Sequence, residues 1–262
     1  MCFVAYGRRI GIRTNNSEVL ERLIDRLPCG WRPAASPVVD HVYSVVAGGN
    51  GPQSHIRRFH LVYAGAMRLA RTLDLDEALD LLESDLHLHV AARARGKLFV
   101  HAGVVGWRDR AIVIPGRTLA GKTTLVAALV RAGATYYSDE YAVLDASGRV
   151  HPYPKPLSIR REGGQRPQRL PVEALGAAVG AKPLPVGLIL LSRYRAGARW
   201  RPRRLSPGEA VLALLAETVP ARRRPAAAIA RLGQVATQAP ALRGVRGEAE
   251  QLAHALLAGG DA

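Results

Sequence analysis

The most constraining feature of this sequence is a glycine-rich segment, GRTLAGKT, at residues 116–123. It matches the pattern G-x-x-x-x-G-K-[ST], in which successive backbone N–H groups converge on phosphate oxygens. A short apolar run, Ala111–Ile114, precedes the segment, and an amphipathic run, Thr123–Ala132, follows it. In this order the helix N-terminus is directed at the bound anion. The chain is therefore expected to contain a β-strand that leads through a phosphate-binding loop into an α-helix.

Each residue of the loop has an expected role. Lys122 supplies a compact positive charge to the β- and γ-phosphates, and the Thr123 hydroxyl is expected to ligate magnesium. The cofactors implied are ATP and Mg²⁺, although the loop alone does not distinguish an ATPase from a GTPase or a kinase. The residues expected to bind the nucleotide are Gly116, Arg117, Thr118, Leu119, Ala120, Gly121, Lys122, Thr123 and Thr124.

An acidic pair, Asp139 and Glu140, follows the next β-rich run, Thr135–Tyr137. A minimal strand–loop–helix–strand unit returns these carboxylates to the phosphates. One carboxylate is then available to hold magnesium and one to accept the proton of an attacking hydroxyl. Thr123, Asp139 and Glu140 are the expected metal ligands. The alternative is that the acidic pair only begins a surface turn.

A histidine, His101, lies in the apolar run Phe99–Gly103, on the strand expected to pair with the strand that feeds the loop. A lone histidine in a strand is more often a packed residue than a catalytic one. The residues alone leave its role open. The two strands are expected to form a hairpin with a five-residue loop, Gly106–Arg110.

The order of these features resembles the HPr kinase/phosphorylase family and its shorter, stand-alone relatives. The resemblance covers Phe99–Arg160. It implies an α/β (α+β) fold: a P-loop kinase core with a mixed sheet, shared with ATP-dependent phosphoenolpyruvate carboxykinases and preceded here by a small α+β domain. It also implies ATP- and Mg²⁺-dependent phosphorylation of a serine in a small protein or peptide, such as a lasso-type precursor peptide.

The resemblance assigns roles to particular residues. Asp139 corresponds to the first acid of the family's pair, the general base for the serine hydroxyl, and Glu140 corresponds to the second. His101 becomes the strand histidine that neighbours this carboxylate. The expected catalytic residues are thus Asp139, His101 and Lys122.

A second signature of the family has only a faint counterpart in this sequence. Arg160 is retained and is expected to contribute to the nucleotide and acceptor site. The glutamate and the glycine of that signature are replaced by Ser158 and Arg161. A reverse phosphorylase activity is therefore not implied.

The charge of the chain offers a competing interpretation. The net charge is +16, and 33 of the 37 basic residues are arginine. This excess fits either an anionic partner or an arginine-biased composition. The sequence has no helix-turn-helix pattern and only 5% aromatic residues, so it does not favour nucleic-acid binding. A nucleotide-binding regulatory module, a nucleic-acid-binding module and a small-molecule kinase remain the alternatives, and a homo-oligomer stays open.

Several classes of protein are excluded by composition. Cys2 and Cys29 are the only cysteines, which excludes a disulfide framework and a four-cysteine zinc site. No apolar run approaches the ~20 residues that a membrane helix needs, so no membrane partner is expected. The N-terminus lacks a secretory pattern, which predicts a cytoplasmic protein.

The chain is expected to divide into an N-terminal α+β domain, residues 1–95, and a kinase domain, residues 96–262. Ser17 and Asp74 are predicted N-caps in the first domain. In the second, Ser206 and Glu209 predict a capping box for a helix that extends to Thr218. The segment Arg161–Pro171 is expected to be a polar loop, and residues 247–258 a closing helix.

Overall fold

The computed structural model describes residues 1–48, 58–116, 121–159, 168–176 and 178–259. They form a mixed α and β fold with two mixed sheets and six α-helices. The chain divides into two compact units, Met1–Gly96 and Lys97–Ala262. This division falls next to the predicted one, between residues 95 and 96.

The first unit is a six-stranded sheet with two helices, in the strand order β3-β1-β2-β4-β5-β6. Its strands are β1 (Cys2–Ala5), β2 (Arg8–Thr14), β3 (Arg32–Pro33), β4 (His41–Val46), β5 (His60–Ala64) and β6 (Met67–Thr72), and its helices are α1 (Ser17–Ile24) and α2 (Leu75–Arg93). Strands β2 and β4 are parallel, and the other neighbours are antiparallel. The apolar core of this unit includes Phe3, Ile10, Tyr43, Val62, Leu79, Leu82 and Leu86.

Side-chain caps fix where the two helices of this unit begin. The Asp74 carboxylate accepts from the backbone N–H of Glu77, which confirms the predicted cap of α2. For α1 the predicted cap is wrong by one residue. Asn16 is the N-cap and accepts from the N–H of Glu18, so that Ser17 is the first helical residue.

The second unit is built on an eight-stranded sheet in the order β11-β10-β7-β8-β14-β16-β15, with β9 also paired to β7. Its strands are β7 (Leu98–Trp107), β8 (Arg110–Pro115), β9 (Thr135–Ser138), β10 (Tyr141–Leu144), β11 (Val150–His151), β14 (Val186–Tyr194), β15 (Arg203–Arg204) and β16 (Ala241–Arg246). A separate two-stranded sheet joins β12 (Leu157–Ile159) and β13 (Gln168–Leu170), and a 3₁₀ turn spans Val172–Leu175.

Helices cover both faces of the larger sheet. They are α3 (Lys122–Arg131), α4 (Pro207–Ala216), α5 (Pro225–Gln238) and α6 (Ala249–Ala258). Apolar residues of α3 and α6 pack on one face, and those of α4 and α5 pack on the other. Strands β8, β14 and β16 are parallel, so their carboxyl ends lie at one edge of the sheet.

Strand β7 organises this edge, because different segments pair with its two sides. On one side its first half pairs with β10 and its second half with β9. On the other side it pairs with β8, with Ala102 opposite Pro115. Gly116, which follows β8, and the bend between β9 and β10 therefore both lie beside residues 101–103 of β7.

Some local predictions in this unit are wrong. The hairpin between β7 and β8 has a two-residue turn rather than a five-residue loop, because Arg108 and Asp109 adopt φ angles of 47° and 58° and let Trp107 pair with Arg110. The segment Arg161–Pro171 is not entirely a loop, since it contains β13. Helix α4 ends at Ala216, before the predicted Thr218. Its predicted capping box, Ser206 with Glu209, is confirmed.

Candidate functional site

The phosphate-loop segment joins β8 to α3, as predicted from its sequence. The backbone N–H of Gly116 donates to the carbonyl of His101 over 3.2 Å, which fixes the beginning of the loop to β7. At the other end Gly121 has a φ of 74°, and α3 begins at Lys122. Of the predicted nucleotide-binding residues, Arg117, Thr118, Leu119, Ala120 and Arg160 lie outside the described residues.

The N-terminus of α3 has no side-chain cap. Gly121 is its N-cap and provides no side-chain hydrogen bond, and the first turn contains no acidic residue. Helix N-terminal N–H groups without such a cap need another partner, and phosphate oxygens suit them. Thr124, on this first turn, is exposed.

The Lys122 side chain reaches back across the loop. Its Nζ donates to the carbonyl oxygen of Gly116 over 2.6 Å. Burial lowers the pKa of Lys122, while the carboxylates of Glu217, Asp139 and Glu140 raise it. The ammonium group therefore lies beside Gly116 and close to three carboxylates.

The acidic pair lies in the bend between β9 and β10. The Ser138 hydroxyl accepts from the backbone N–H groups of Glu140 and Tyr141, at 3.1 and 3.0 Å. The backbone N–H of Ala102 donates to the Glu140 carbonyl over 3.1 Å. The first two bonds shape the bend, and the third joins it to β7 next to His101, the partner of Gly116.

The two carboxylates of the pair have different partners. Asp139 Oδ2 accepts from Thr123 Oγ1 over 3.1 Å, which joins it to the first turn of α3. Glu140 Oε2 instead accepts from Lys155 Nζ over 2.5 Å. The structure thus brings Thr123, Asp139 and Lys122 together as predicted, and it pairs Glu140 with a lysine that the sequence did not point to.

Burial changes the acidity of Asp139. Desolvation, together with the neighbouring Glu140, raises its pKa to about 6, against the lowering effects of the hydrogen bond from Thr123 and of the charges of Lys155 and Lys122. A carboxylate with a pKa near neutrality is suited to accept and release a proton at physiological pH.

The donor atoms at this site fit a magnesium ion bound together with phosphates. Mg²⁺ usually keeps several waters and takes one or two carboxylates plus substrate phosphate oxygens. The Thr123 hydroxyl and the Asp139 carboxylate are oxygen donors of this kind, next to the predicted phosphate position. No group of three or more His, Cys, Asp or Glu in the described part of the chain is arranged as a self-sufficient metal site.

His101 lies on β7 with its ring against Tyr141, at 4.8 Å between ring centroids. Burial lowers the pKa of His101, Glu140 and Glu217 raise it, and Lys122 lowers it further. The carboxylates of Glu140 and Glu217 therefore both favour the charged form of His101.

Two charged residues that the sequence analysis missed also belong to this region. The first is Glu217, just after α4, whose carbonyl accepts from the backbone N–H of His101 over 2.8 Å. A bridge between Val100 and Thr218 holds its segment against the side of β7 that β8 leaves open. Glu217 follows an apolar helix without any motif, so no local pattern pointed to it.

The second missed residue is Arg246, at the end of β16. Its Nη2 donates to the carbonyl of Gly121 over 3.1 Å, directly before Lys122. Its side chain is buried, with 2% of the residue surface exposed. The sequence contains 33 arginines, so nothing in the composition singled out this one.

Comparisons with known proteins give no family for this chain. No family model matches it, and no curated protein matches it either. Within the described ranges, no helix combines the length and apolar character needed to cross a membrane.

Proposed function

We propose that this chain is an ATP- and Mg²⁺-dependent kinase that phosphorylates a hydroxyl group, a serine of a small protein or peptide. The observation that carries the proposal is the hydrogen bond between Thr123 and Asp139, next to Lys122, whose side chain bonds to Gly116. The bond between Thr123 and Asp139 supports a kinase, because transfer to a hydroxyl requires a proton acceptor near the γ-phosphate that a phosphate loop binds. We further propose that the second unit has an HPr kinase-like P-loop core and that the protein acts in the cytoplasm.

The reaction that this arrangement supports is an in-line phosphoryl transfer. The acceptor oxygen attacks the γ-phosphorus of ATP, its proton passes to the Asp139 carboxylate, and the bond to the bridging oxygen breaks to release ADP. Lys122 exchanges its bond to Gly116 for the phosphate oxygens, where its charge offsets the charge that develops during transfer.

Magnesium supplies further charge neutralisation when it is bound with the phosphates. Thr123 is the residue that would hold it, because a carboxylate bound to magnesium is a weaker base and Asp139 is assigned to the proton. Glu140 is bonded to Lys155, which leaves Asp139 as the carboxylate nearest to the first turn of α3. In this proposal Lys155 keeps Glu140 in place, and Glu140 acts on the site through its charge.

The acceptor is proposed to be a hydroxyl of a peptide or small protein. The many arginines of the surface would bind an acidic or phosphorylated chain through ion pairs. A small-molecule acceptor would use the same groups. Products of neighbouring genes, including any short precursor peptide, are the first acceptors to assay.

The test is transfer of the labelled γ-phosphate of ATP, measured with Mg²⁺ and these candidate acceptors. Asp139→Asn is expected to abolish transfer while binding of a fluorescent ATP analogue survives. The matched control is Asp109→Asn, which makes the same change at an exposed residue in the turn at the opposite end of β8. Full transfer by Asp139→Asn would exclude Asp139 as the base, and binding without transfer or hydrolysis would indicate a regulatory module instead.

A further inference from the structure

Arg246 lies at the same edge of the sheet as the phosphate loop. Strand β16 runs parallel to β14, which runs parallel to β8, so the carboxyl end of β16 lies near the end of β8 that leads into the loop. From there the guanidinium Nη2 donates to the Gly121 carbonyl over 3.1 Å, and Nη1 donates to the carbonyl of Gly247 over 3.0 Å.

The guanidinium of Arg246 is buried without a matching anion. Only 2% of the residue is exposed, and its Nε has no hydrogen-bond partner. Among the residues that the structure describes, no carboxylate lies within ion-pair distance of it. Burial lowers the pKa of Arg246, and Glu248, Tyr194 and Glu250 offset this only through space. A buried charge without a counter-ion is costly, so an anion is the partner that this site lacks.

The contact with Gly121 is also steric. A Cβ atom added to Gly121 would lie 2.8 Å from Arg246 Nη2, and the φ of 74° already disfavours any other residue. The Gly121 carbonyl that Arg246 contacts also accepts from Leu125, in the first backbone hydrogen bond of α3. Arg246 therefore fixes the carbonyl of Gly121, directly before Lys122 and the first turn of α3.

The immediate surroundings of this junction favour an anion. The N-terminus of α3 carries the positive end of the helix dipole, has no acidic residue in its first turn, and begins with Lys122. A second cation at this terminus adds positive charge, which the Asp139 carboxylate at Thr123 offsets in part and a bound anion would offset further.

We propose that Arg246 is a positioning residue for polyphosphate binding. It fixes Gly121 so that the N–H groups of α3 face the phosphates, and a nucleoside diphosphate or triphosphate in the loop provides the negative charge that offsets its own. This inference rests on the proposed function, because it takes the loop to be the phosphate site.

The test compares nucleotide affinity with the stability of the nucleotide-free protein. Arg246→Met is expected to weaken MgADP binding roughly tenfold, because the loop loses its support and the phosphates lose a nearby cation. The same variant is expected to be at least as stable as the wild type without nucleotide, since it removes an unpaired buried charge. Arg246→Lys keeps the charge but lacks the planar guanidinium that donates to both the Gly121 and Gly247 carbonyls. It is expected to bind MgADP with intermediate affinity.

The control is Arg243→Met, which makes the same change at an exposed position of β16 and is expected to leave MgADP binding unchanged. Unchanged MgADP affinity in Arg246→Met would overturn the inference, as would a loss of stability without any loss of affinity. If Arg246→Met does not fold, Arg246→Lys provides the same comparison.

Inorganic pyrophosphate separates this inference from the proposed function. Wild-type protein that binds pyrophosphate but not MgATP would contradict the proposed kinase, while the Arg246 variants would still be compared on pyrophosphate. Wild-type protein that binds neither ligand would overturn both proposals.

Discussion

Thr123 Oγ1 donates a hydrogen bond to Asp139 Oδ2 over 3.1 Å, and this bond joins the first turn of α3 to the bend after β9. The threonine belongs to the phosphate-loop motif, and the aspartate is the partly buried carboxylate whose pKa is raised to about 6. The donor keeps this carboxylate more acidic than burial alone would make it. The two residues are therefore expected to respond together to substitution.

Asp139→Asn is expected to stabilise the nucleotide-free protein at neutral pH. The raised pKa of Asp139 means that the fold favours its protonated form; this stability is fully present below the usual pKa of 3.8 and is lost as pH rises through about 6. Asparagine cannot ionise and still accepts from Thr123, so the variant should gain up to about 3 kcal/mol at pH 7.5. Urea unfolding without Mg²⁺ measures this.

The gain should shrink towards zero when the same unfolding is carried out near pH 4, where wild-type Asp139 is largely protonated. Asp109→Asn serves as the exposed control for the same change of side chain. A variant less stable than the wild type at pH 7.5 would show that Asp139 contributes to folding as an ion.

Thr123→Val is expected to uncouple magnesium from nucleotide binding. The variant removes a hydroxyl that donates to Asp139 and is the proposed metal donor, so affinity for ATP in the presence of Mg²⁺ should fall about tenfold. Thr123→Ser keeps the hydroxyl and should retain most of the affinity. Calorimetric titrations with and without Mg²⁺ measure the difference, and equal losses in both conditions would assign Thr123 a packing role only.

Glu217→Gln is expected to tighten ATP binding. The Glu217 carboxylate acts on the charge of Lys122 more strongly than the other carboxylates do, and it repels incoming phosphates. Its removal should increase affinity about two- to tenfold at low salt, and less at high salt. Glu209→Gln, at the other end of α4, is the control. Glutamine also suits this position of a capping box, so the affinity for ATP should stay unchanged. Weaker binding by Glu217→Gln would indicate instead that Glu217 holds Lys122 in its productive position.

Gly103→Ala is expected to destabilise the second unit by about 1–3 kcal/mol through overpacking. A Cβ at Gly103 would lie 2.5 Å from Val126 Cγ2, because β7 and α3 are in close contact there. Combining it with Val126→Ala should recover part of the loss. Gly233→Ala, where a helical glycine has open space, should stabilise by about 1 kcal/mol. Denaturant unfolding of these three variants measures how tight the contact between β7 and α3 is.

The parts of the site that were predictable from the sequence are those whose residues are close along the chain. The loop, the start of α3 and the acidic bend follow one another within a single strand–loop–helix–strand unit. Local spacing was enough to place Lys122, Thr123 and Asp139 together. Local capping chemistry likewise predicted the start of α2 at Asp74.

The parts that were missed depend on long-range pairing. Glu217 reaches the site only because Thr218 bridges to Val100, and Arg246 only because β16 pairs in parallel with β14. Helix α5 was not predicted, since alanine occupies both exposed and buried positions at its start and so marks no apolar face. The tight turn at Arg108 and Asp109 was missed because neither residue is glycine, although both have positive φ.

Two consecutive residues of β7, His101 and Ala102, form hydrogen bonds with three segments of the candidate site. The His101 amide is bonded to the Glu217 segment, the His101 carbonyl to the beginning of the loop, and the Ala102 amide to the acidic bend. These neighbouring amides are thus separate reporters for hydrogen exchange. Opening of the segment after α4 would expose the His101 amide, and opening of the bend after β9 would expose the Ala102 amide. Exchange measured at these two amides would show whether the segment after α4 or the bend after β9 opens more readily.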